Sequence, residues 1–166
     1  MIRLTILAIP NEYEVIITYK CNWKCNYCSV DTHSHLKLSF DDVMHKIQTI
    51  PQGSYVTLSG GEVGSMKRSH IEQIIHTLQD KQCVLGINTN GLFLQRYVDL
   101  AHNFRDITYH CTENIDISDE VYVNYSLPID YMIVVNDDNF FKLKQFLDKY
   151  PDIRFSLVAA SNPEGM

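Results

Sequence analysis

The chain of 166 residues is 45% hydrophobic and 20% charged, an ordinary composition for a globular protein, and it is long enough for one domain with a buried core. Its net charge of −6 and pI near 5.5 argue against broad nucleic-acid binding. No apolar run approaches the roughly 20 residues of a membrane span, and the apolar start lacks the cleavage site of a signal peptide. We therefore predict a single domain over residues 1–166 that does not associate with a membrane.

Six apolar runs with strand-like composition recur along the chain. They are Tyr13–Thr18, Tyr55–Ser59, Cys83–Asn88, Asp106–His110, Tyr131–Asn136 and Ile153–Ala159. Because helical patterns separate most of them, the order predicts successive βα units with a parallel sheet. Residues 1–12 are predicted as an additional strand or as part of a hairpin. The segment VYVNYSL after Glu120 alternates like a strand where this order would place a helix.

Helical spacing fills most of the gaps between the predicted strands. Ser39 and Asp42 have capping-box spacing before one amphipathic pattern, and Ser69 and Glu72 repeat that spacing before the next. A third pattern follows the dipeptide NG, and a fourth ends before Pro151.

Three cysteines, Cys21, Cys25 and Cys28, follow the first predicted strand with the spacing CxxxCxxC. Thiolates suit an iron–sulfur cluster or zinc, and the odd total of five cysteines favours a metal site in a reducing, cytoplasmic compartment over a disulfide framework. A four-iron cluster held by three cysteines leaves one iron open for a substrate or a cofactor. The alternative is a structural zinc site that His33 or His35 completes.

Polar groups also follow the later predicted strands. These strand-end residues are Ser59, Gly60, Gly61, Glu62, Asn88, Asn90, His110, Cys111 and Asn136. Since the loops at the carboxyl ends of parallel strands converge on one face, we expect them to lie near the cysteine loop. A structural zinc site has no use for such groups, so their positions favour the iron–sulfur interpretation.

The succession of motifs CxxxCxxC, SGGE and NTNG, with Tyr27 just before the last cysteine, resembles the signature of the radical S-adenosylmethionine (SAM) superfamily. The resemblance implies an α/β fold, a partial (βα)6-type barrel with parallel strands, here with little room for a last helix. It further implies a 4Fe-4S cluster on the three cysteines, whose open iron binds the amino and carboxylate groups of SAM. A reduced cluster then cleaves SAM, and the 5′-deoxyadenosyl radical abstracts hydrogen from the substrate. No further cysteine cluster is present in the sequence, so auxiliary clusters are not expected.

The resemblance also implies roles for single residues in binding SAM. Glu62 would pair with its ammonium group through a charge-assisted hydrogen bond, and Tyr27 would pack on its adenine. Gly60 and Gly61 lack a Cβ and would let the backbone approach a ligand closely. Further cofactor contacts are expected from Ser59, Asn88, Asn90 and Asn136.

Two residues at the end of the fourth predicted strand are the catalytic candidates. His110 is positioned for the ribose, the carboxylate or the substrate, although a histidine at a strand end is often only a hydrogen-bonded structural residue. Cys111 would exchange a hydrogen atom near the radical, whereas its ordinary role would be that of a small buried hydrophobic residue.

The sequence thus predicts a radical SAM enzyme that acts on a small molecule or a modified nucleobase, by rearrangement, isomerisation or elimination. It would take electrons from a flavodoxin- or ferredoxin-like donor, and a second copy or a partner protein would cover the open side of its short barrel. One alternative is an activase that generates a glycyl radical on a partner enzyme. A non-enzymatic zinc-binding interaction module is the alternative from another class.

Overall fold

The computed structural model describes residues 11–25, 28, 30, 38–111, 126–135, 140–152 and 154–159. They form one parallel six-stranded sheet in which each strand pairs with the next one along the chain. The strands are β1 (Glu12–Thr18), β2 (Tyr55–Gly60), β3 (Val84–Thr89), β4 (Asp106–Cys111), β5 (Ile129–Val135) and β6 (Phe155–Ala159). The α-helices are α1 (Phe40–Thr49), α2 (Arg68–Asp80), α3 (Leu92–Tyr97) and α4 (Phe140–Lys149).

All six predicted strands are confirmed, and each boundary agrees with the prediction to within two residues. The strand order follows the chain from β1 to β6, and the two end strands do not pair with each other. This open, parallel arrangement is the predicted partial barrel. Within the described part of the chain, no helix is long and apolar enough to cross a membrane.

The two faces of the sheet differ in polarity because successive side chains of a strand point to opposite faces. One face packs against the helices, and its side chains, such as Val56, Leu58 and Ile87, are almost completely buried. The alternate residues Thr57 and Asn88 line an open cavity on the other, concave face. The core therefore lies between the sheet and the helices, and the concave face is left for polar groups.

The predicted helix cap at Ser39 is confirmed, whereas a predicted cap at Asp138 lies outside the described residues. The Ser39 hydroxyl accepts a hydrogen bond from the backbone N–H of Asp42 (3.1 Å) and donates to its carboxylate (2.6 Å), which starts α1. The predicted cap at Ser69 is wrong, because α2 begins one residue earlier, at Arg68. There the carboxylate of Glu72 accepts a hydrogen bond from the guanidinium of Arg68 (2.8 Å) and is not used in a capping box.

The third predicted helix divides into two conformations. It is α-helical in α3 and continues as a 3₁₀ helix over Val98–Asn103. The predicted extension at residues 1–12 lies outside the described residues except for its last two positions, and most of the VYVNYSL segment lies outside them too.

Candidate functional site

The loop after β2 packs directly against the start of the cysteine loop after β1. The backbone N–H of Gly61 donates to the Thr18 carbonyl and that of Glu62 donates to the Lys20 carbonyl, both at 2.7 Å. A Cβ on Gly60 would lie 2.3 Å from the Thr18 oxygen, and one on Gly61 would lie 2.3 Å from the Lys20 oxygen. Gly60 also has a φ of +123°, which residues other than glycine rarely adopt. Both glycines are thus needed for a close approach to the chain's own backbone.

Glu62 is completely buried and connects the SGGE loop with the NTNG loop. Its carboxylate accepts hydrogen bonds from the backbone N–H groups of Gly64 (2.8 Å), Asn90 (2.7 Å) and Phe93 (3.1 Å), and from the Thr89 hydroxyl (2.9 Å). Burial raises the pKa of Glu62, and these hydrogen bonds oppose that rise. The carboxylate therefore holds the two loops together.

These contacts bear on the predicted pairing of Glu62 with the SAM ammonium. Glu62 is not among the residues that line the neighbouring cavity, and both of its carboxylate oxygens already accept hydrogen bonds from the protein. The pairing stays a prediction, while the structure gives this side chain a different set of partners. The GGE motif alone could not reveal them, because they come from a loop almost thirty positions later.

A cavity of 190 Å³ opens where the loops after β1, β2 and β3 meet the end of β4. The predicted site residues among those that line it are Cys21, Cys25, Ser59, Gly60, Gly61, Asn88, Asn90 and His110. The expectation that the ends of these parallel strands converge is therefore met for these residues.

Other predicted residues stand apart from this cavity or outside the described chain. Cys28 is exposed, and its Sγ donates to the carbonyl of Val30 at 3.1 Å. Cys111 ends β4, and nothing is described of its side chain. Tyr27, Asn136, His33 and His35 lie outside the described residues.

The cysteine loop presents sulfur ligands together with hydrogen-bond donors. The Sγ of Cys21 accepts from the backbone N–H of Trp23 (3.4 Å) and from the side-chain amide of Asn90 (3.7 Å). Burial raises the pKa of the Cys21 thiol, and the Trp23 N–H opposes that rise. Among the described residues, no three His, Cys, Asp or Glu side chains already converge as a site for a single metal ion. Three thiols on one loop, with donors aimed at sulfur, nevertheless fit the chemistry of an iron–sulfur cluster.

The sequence reasoning missed Glu14, which lies within β1 and lines the same cavity. Its carboxylate accepts a hydrogen bond from the side-chain amide of Asn88 at 3.4 Å. The signal was present in the strand EYEVIIT, where Glu14 stands between apolar residues. It was missed because site residues were predicted only at the ends of strands, and Glu14 lies inside one. Burial lowers the pKa of nearby His110, and the charge of Glu14 partly opposes this shift, so the imidazole is neutral at pH 7.

Comparison with curated proteins finds similarity over about half of the chain, and no protein-family model matches it. The chain is 29% identical over 87 residues to a Methanocaldococcus jannaschii protein whose name assigns it as a glycyl-radical enzyme activating enzyme, covering 51% of this chain and 33% of that protein. It is 33% identical over 92 residues to a Methanococcus maripaludis (strain C5) protein whose name assigns it as a GTP 3′,8-cyclase, covering 52% and 30%. The chain thus matches about a third of the length of these curated relatives.

Solved structures with the same fold cover almost all of the chain. Structures of anSMEcpe with bound AdoMet, and with bound AdoMet and the Kp18Cys peptide, superpose with TM-scores of 0.71 and 0.70 at 13% identity. Each match covers 93% of this chain and 52% of that protein. The likeness confirms the predicted fold, a partial α/β barrel.

Proposed function

Because the chain belongs to the radical SAM superfamily, we propose that it cleaves SAM reductively at a 4Fe-4S cluster and removes a hydrogen atom from a small-molecule or modified-nucleobase substrate. One observation carries the proposal. The cavity of 190 Å³ joins two cysteines of the CxxxCxxC loop to polar residues from the ends of β2, β3 and β4. A structural metal clip would not require such a cavity.

In this proposal Cys21, Cys25 and Cys28 hold the cluster as thiolates. When bound, the cluster would supply the electron that breaks the bond between the SAM sulfonium and the ribose carbon. Cys21 and Cys25 line the cavity, whereas Cys28 would exchange its hydrogen bond with Val30 for ligation. The N–H of Trp23 is placed to stabilise negative charge on the sulfur of Cys21.

The cavity wall offers groups that suit the amino-acid end of SAM. Ser59, Asn88 and Asn90 present a hydroxyl and two amides, which together can donate and accept hydrogen bonds. Asn90 is held on both sides, because its backbone N–H donates to Glu62 and its side chain donates to Asn22 (2.9 Å). We assign Glu62 the role of a positioning residue that fixes this wall. The contact from Tyr27 is proposed on the motif resemblance alone, and that from Asn136 on its place at the end of the fifth predicted strand.

The reaction at the substrate would be a rearrangement, an isomerisation or an elimination. His110 lines the cavity as a neutral imidazole, which has one donor and one acceptor nitrogen with which to hold a substrate or pass a proton. The proposed hydrogen-atom role of Cys111 rests on its place beside His110 at the end of β4.

A second candidate is an activase that generates a glycyl radical on a partner enzyme. The similarity to the Methanocaldococcus jannaschii protein favours it, and the similarity to the GTP 3′,8-cyclases favours the small-molecule reaction. Affinity purification from the source cells distinguishes the two. Stoichiometric recovery of a large partner enzyme that acquires a glycyl radical supports the activase. Turnover of a small molecule without a partner excludes it.

We also propose an electron donor, a cellular location and a partner that covers the barrel. A flavodoxin- or ferredoxin-like protein would donate the electron, in the cytoplasm. A second copy or a partner protein would cover the open edge of the barrel, where Phe155 and Leu157 of β6 are 41% and 51% exposed. Sedimentation velocity on an active sample tests the last point, since an active monomer would contradict it.

Metal analysis tests the cofactor proposal against a zinc module. After anaerobic reconstitution with iron and sulfide, the wild type should carry about four irons and four sulfides per chain and be brown. Cys21→Ala and Cys25→Ala should bind much less iron, while Cys83→Ala, in a cysteine partly buried against the core, should match the wild type. A colourless protein with about one zinc and no iron would show that the thiols form a structural site.

A further inference from the structure

The concave face of the sheet carries a carboxylate, that of Glu14, which is not among the residues proposed to bind SAM. Glu14 of β1 lies beside Thr57 of β2 in the parallel register. With Asn88 it lines both the cavity that contains the cysteines and a second cavity of 420 Å³ along β1, β2 and β3. Glu14 and Asn88 therefore stand where the two cavities meet.

The carboxylate of Glu14 has hydrogen-bonding capacity to spare. Its Oε1 accepts one long hydrogen bond, 3.4 Å from Asn88 Nδ2, and no described residue donates to its Oε2 or pairs with it as a cation. Asp106 of β4 differs in this respect, because its carboxylate accepts a hydrogen bond from the Tyr55 hydroxyl (3.0 Å).

Glu14 is exposed to the water of the cavity. A carboxylate offers two coplanar oxygens, which match two parallel N–H donors on a planar group. Since it adjoins the cavity of the cysteines, a ligand bound to it would lie close to the proposed SAM site.

We propose that Glu14 selects the substrate of the proposed reaction by binding a planar edge with two adjacent N–H donors, such as the ring N–H and amino group of a 2-aminopyrimidinone. This inference rests on the proposed function, because it takes the ligand to be that reaction's substrate. Asn88 holds the carboxylate from the side of the strand ends, and His110 supplies a further polar contact in the cavity.

The test compares two probes that differ by one amino group, 2-aminopyrimidin-4-one and pyrimidin-4-one. Their binding to the reconstituted, SAM-loaded protein is measured by titration calorimetry or ligand-observed NMR. The wild type should prefer the amino compound by about tenfold, because a good bidentate pair discriminates by that order. Glu14→Gln should reduce the preference to about threefold or less, since an amide offers only one acceptor. Glu72→Gln, which removes the same charge from α2, should keep the wild-type preference.

Formation of 5′-deoxyadenosine is measured in the same samples once a strong reductant is added, and it separates the two proposals. Glu72→Gln should form it as the wild type does, because Glu72 lines neither cavity. Equal binding of the two probes to the wild type, or an unchanged preference in Glu14→Gln, would overturn the role of Glu14 even if SAM is cleaved. A Glu14-dependent preference without any SAM cleavage would keep the binding site and overturn the radical SAM activity.

Discussion

Replacing Glu62 with glutamine tests whether this side chain holds the SGGE and NTNG loops together. One carboxylate oxygen accepts the N–H groups of Gly64 and Phe93, and the other accepts that of Asn90. An amide has one acceptor oxygen, so at least one buried N–H loses its acceptor, at a cost of about 1–3 kcal/mol. The remaining bonds also lose their charge assistance. We expect Glu62→Gln to lower the free energy of unfolding by about 2–4 kcal/mol, and the melting temperature by on the order of 10 °C.

Urea unfolding of the metal-free protein, followed by circular dichroism, measures this loss without involving the cofactor. Glu72→Gln is the matched control, because its carboxylate is partly exposed in an ion pair and should contribute no more than about 1 kcal/mol. If the free energy of unfolding of Glu62→Gln lies within about 0.5 kcal/mol of the wild-type value, Glu62 does not hold the two loops together. If that variant also lost SAM binding, Glu62 would instead be the direct ligand that the motif resemblance implies.

Two further predictions concern the glycine pair and the buried imidazole. Gly61→Ala should destabilise the fold by about 3 kcal/mol in urea unfolding, because its Cβ would lie 2.3 Å from the Lys20 oxygen. Gly53→Ala, with open space around the Cβ but a φ of +75°, should cost only about 1 kcal/mol, and equal losses would contradict the packing argument. Burial lowers the folded-state pKa of His110 below its ordinary value of 6.5. The contribution of the neutral imidazole to the free energy of unfolding should therefore be complete above pH 6.5, and it should be lost as the pH falls through the folded-state pKa. His110→Gln should reduce this loss, and an NMR titration midpoint of His110 at or above 6.5 would contradict its burial as the cause.

The strands could be predicted from the sequence because their signal is local. Each is a short apolar run between helical patterns, and pairing with its neighbour along the chain requires no further information. The cap at Ser69 was predicted wrongly because spacing cannot show which competing contact prevails. Arg68, one residue earlier, takes the Glu72 carboxylate that the capping box would have used.

Only the part of the site that lies at strand ends or in the ordered motifs could be predicted. Convergence of Ser59, Asn88 and His110 follows from the parallel sheet alone. The partners of Glu62 depend on how two distant loops pack, and no local pattern encodes that packing. Glu14 was missed because it lies inside β1, where its importance depends on the cavity in front of it.

The proposed cleavage of SAM is tested most directly by mass spectrometry. The anaerobically reconstituted protein is mixed with SAM and a strong reductant, and 5′-deoxyadenosine is measured. The wild type should form it, and Cys25→Ala, which lacks one thiol of the cavity, should not. A wild-type protein that carries the cluster and binds SAM but forms no 5′-deoxyadenosine, with or without substrate, would contradict the account.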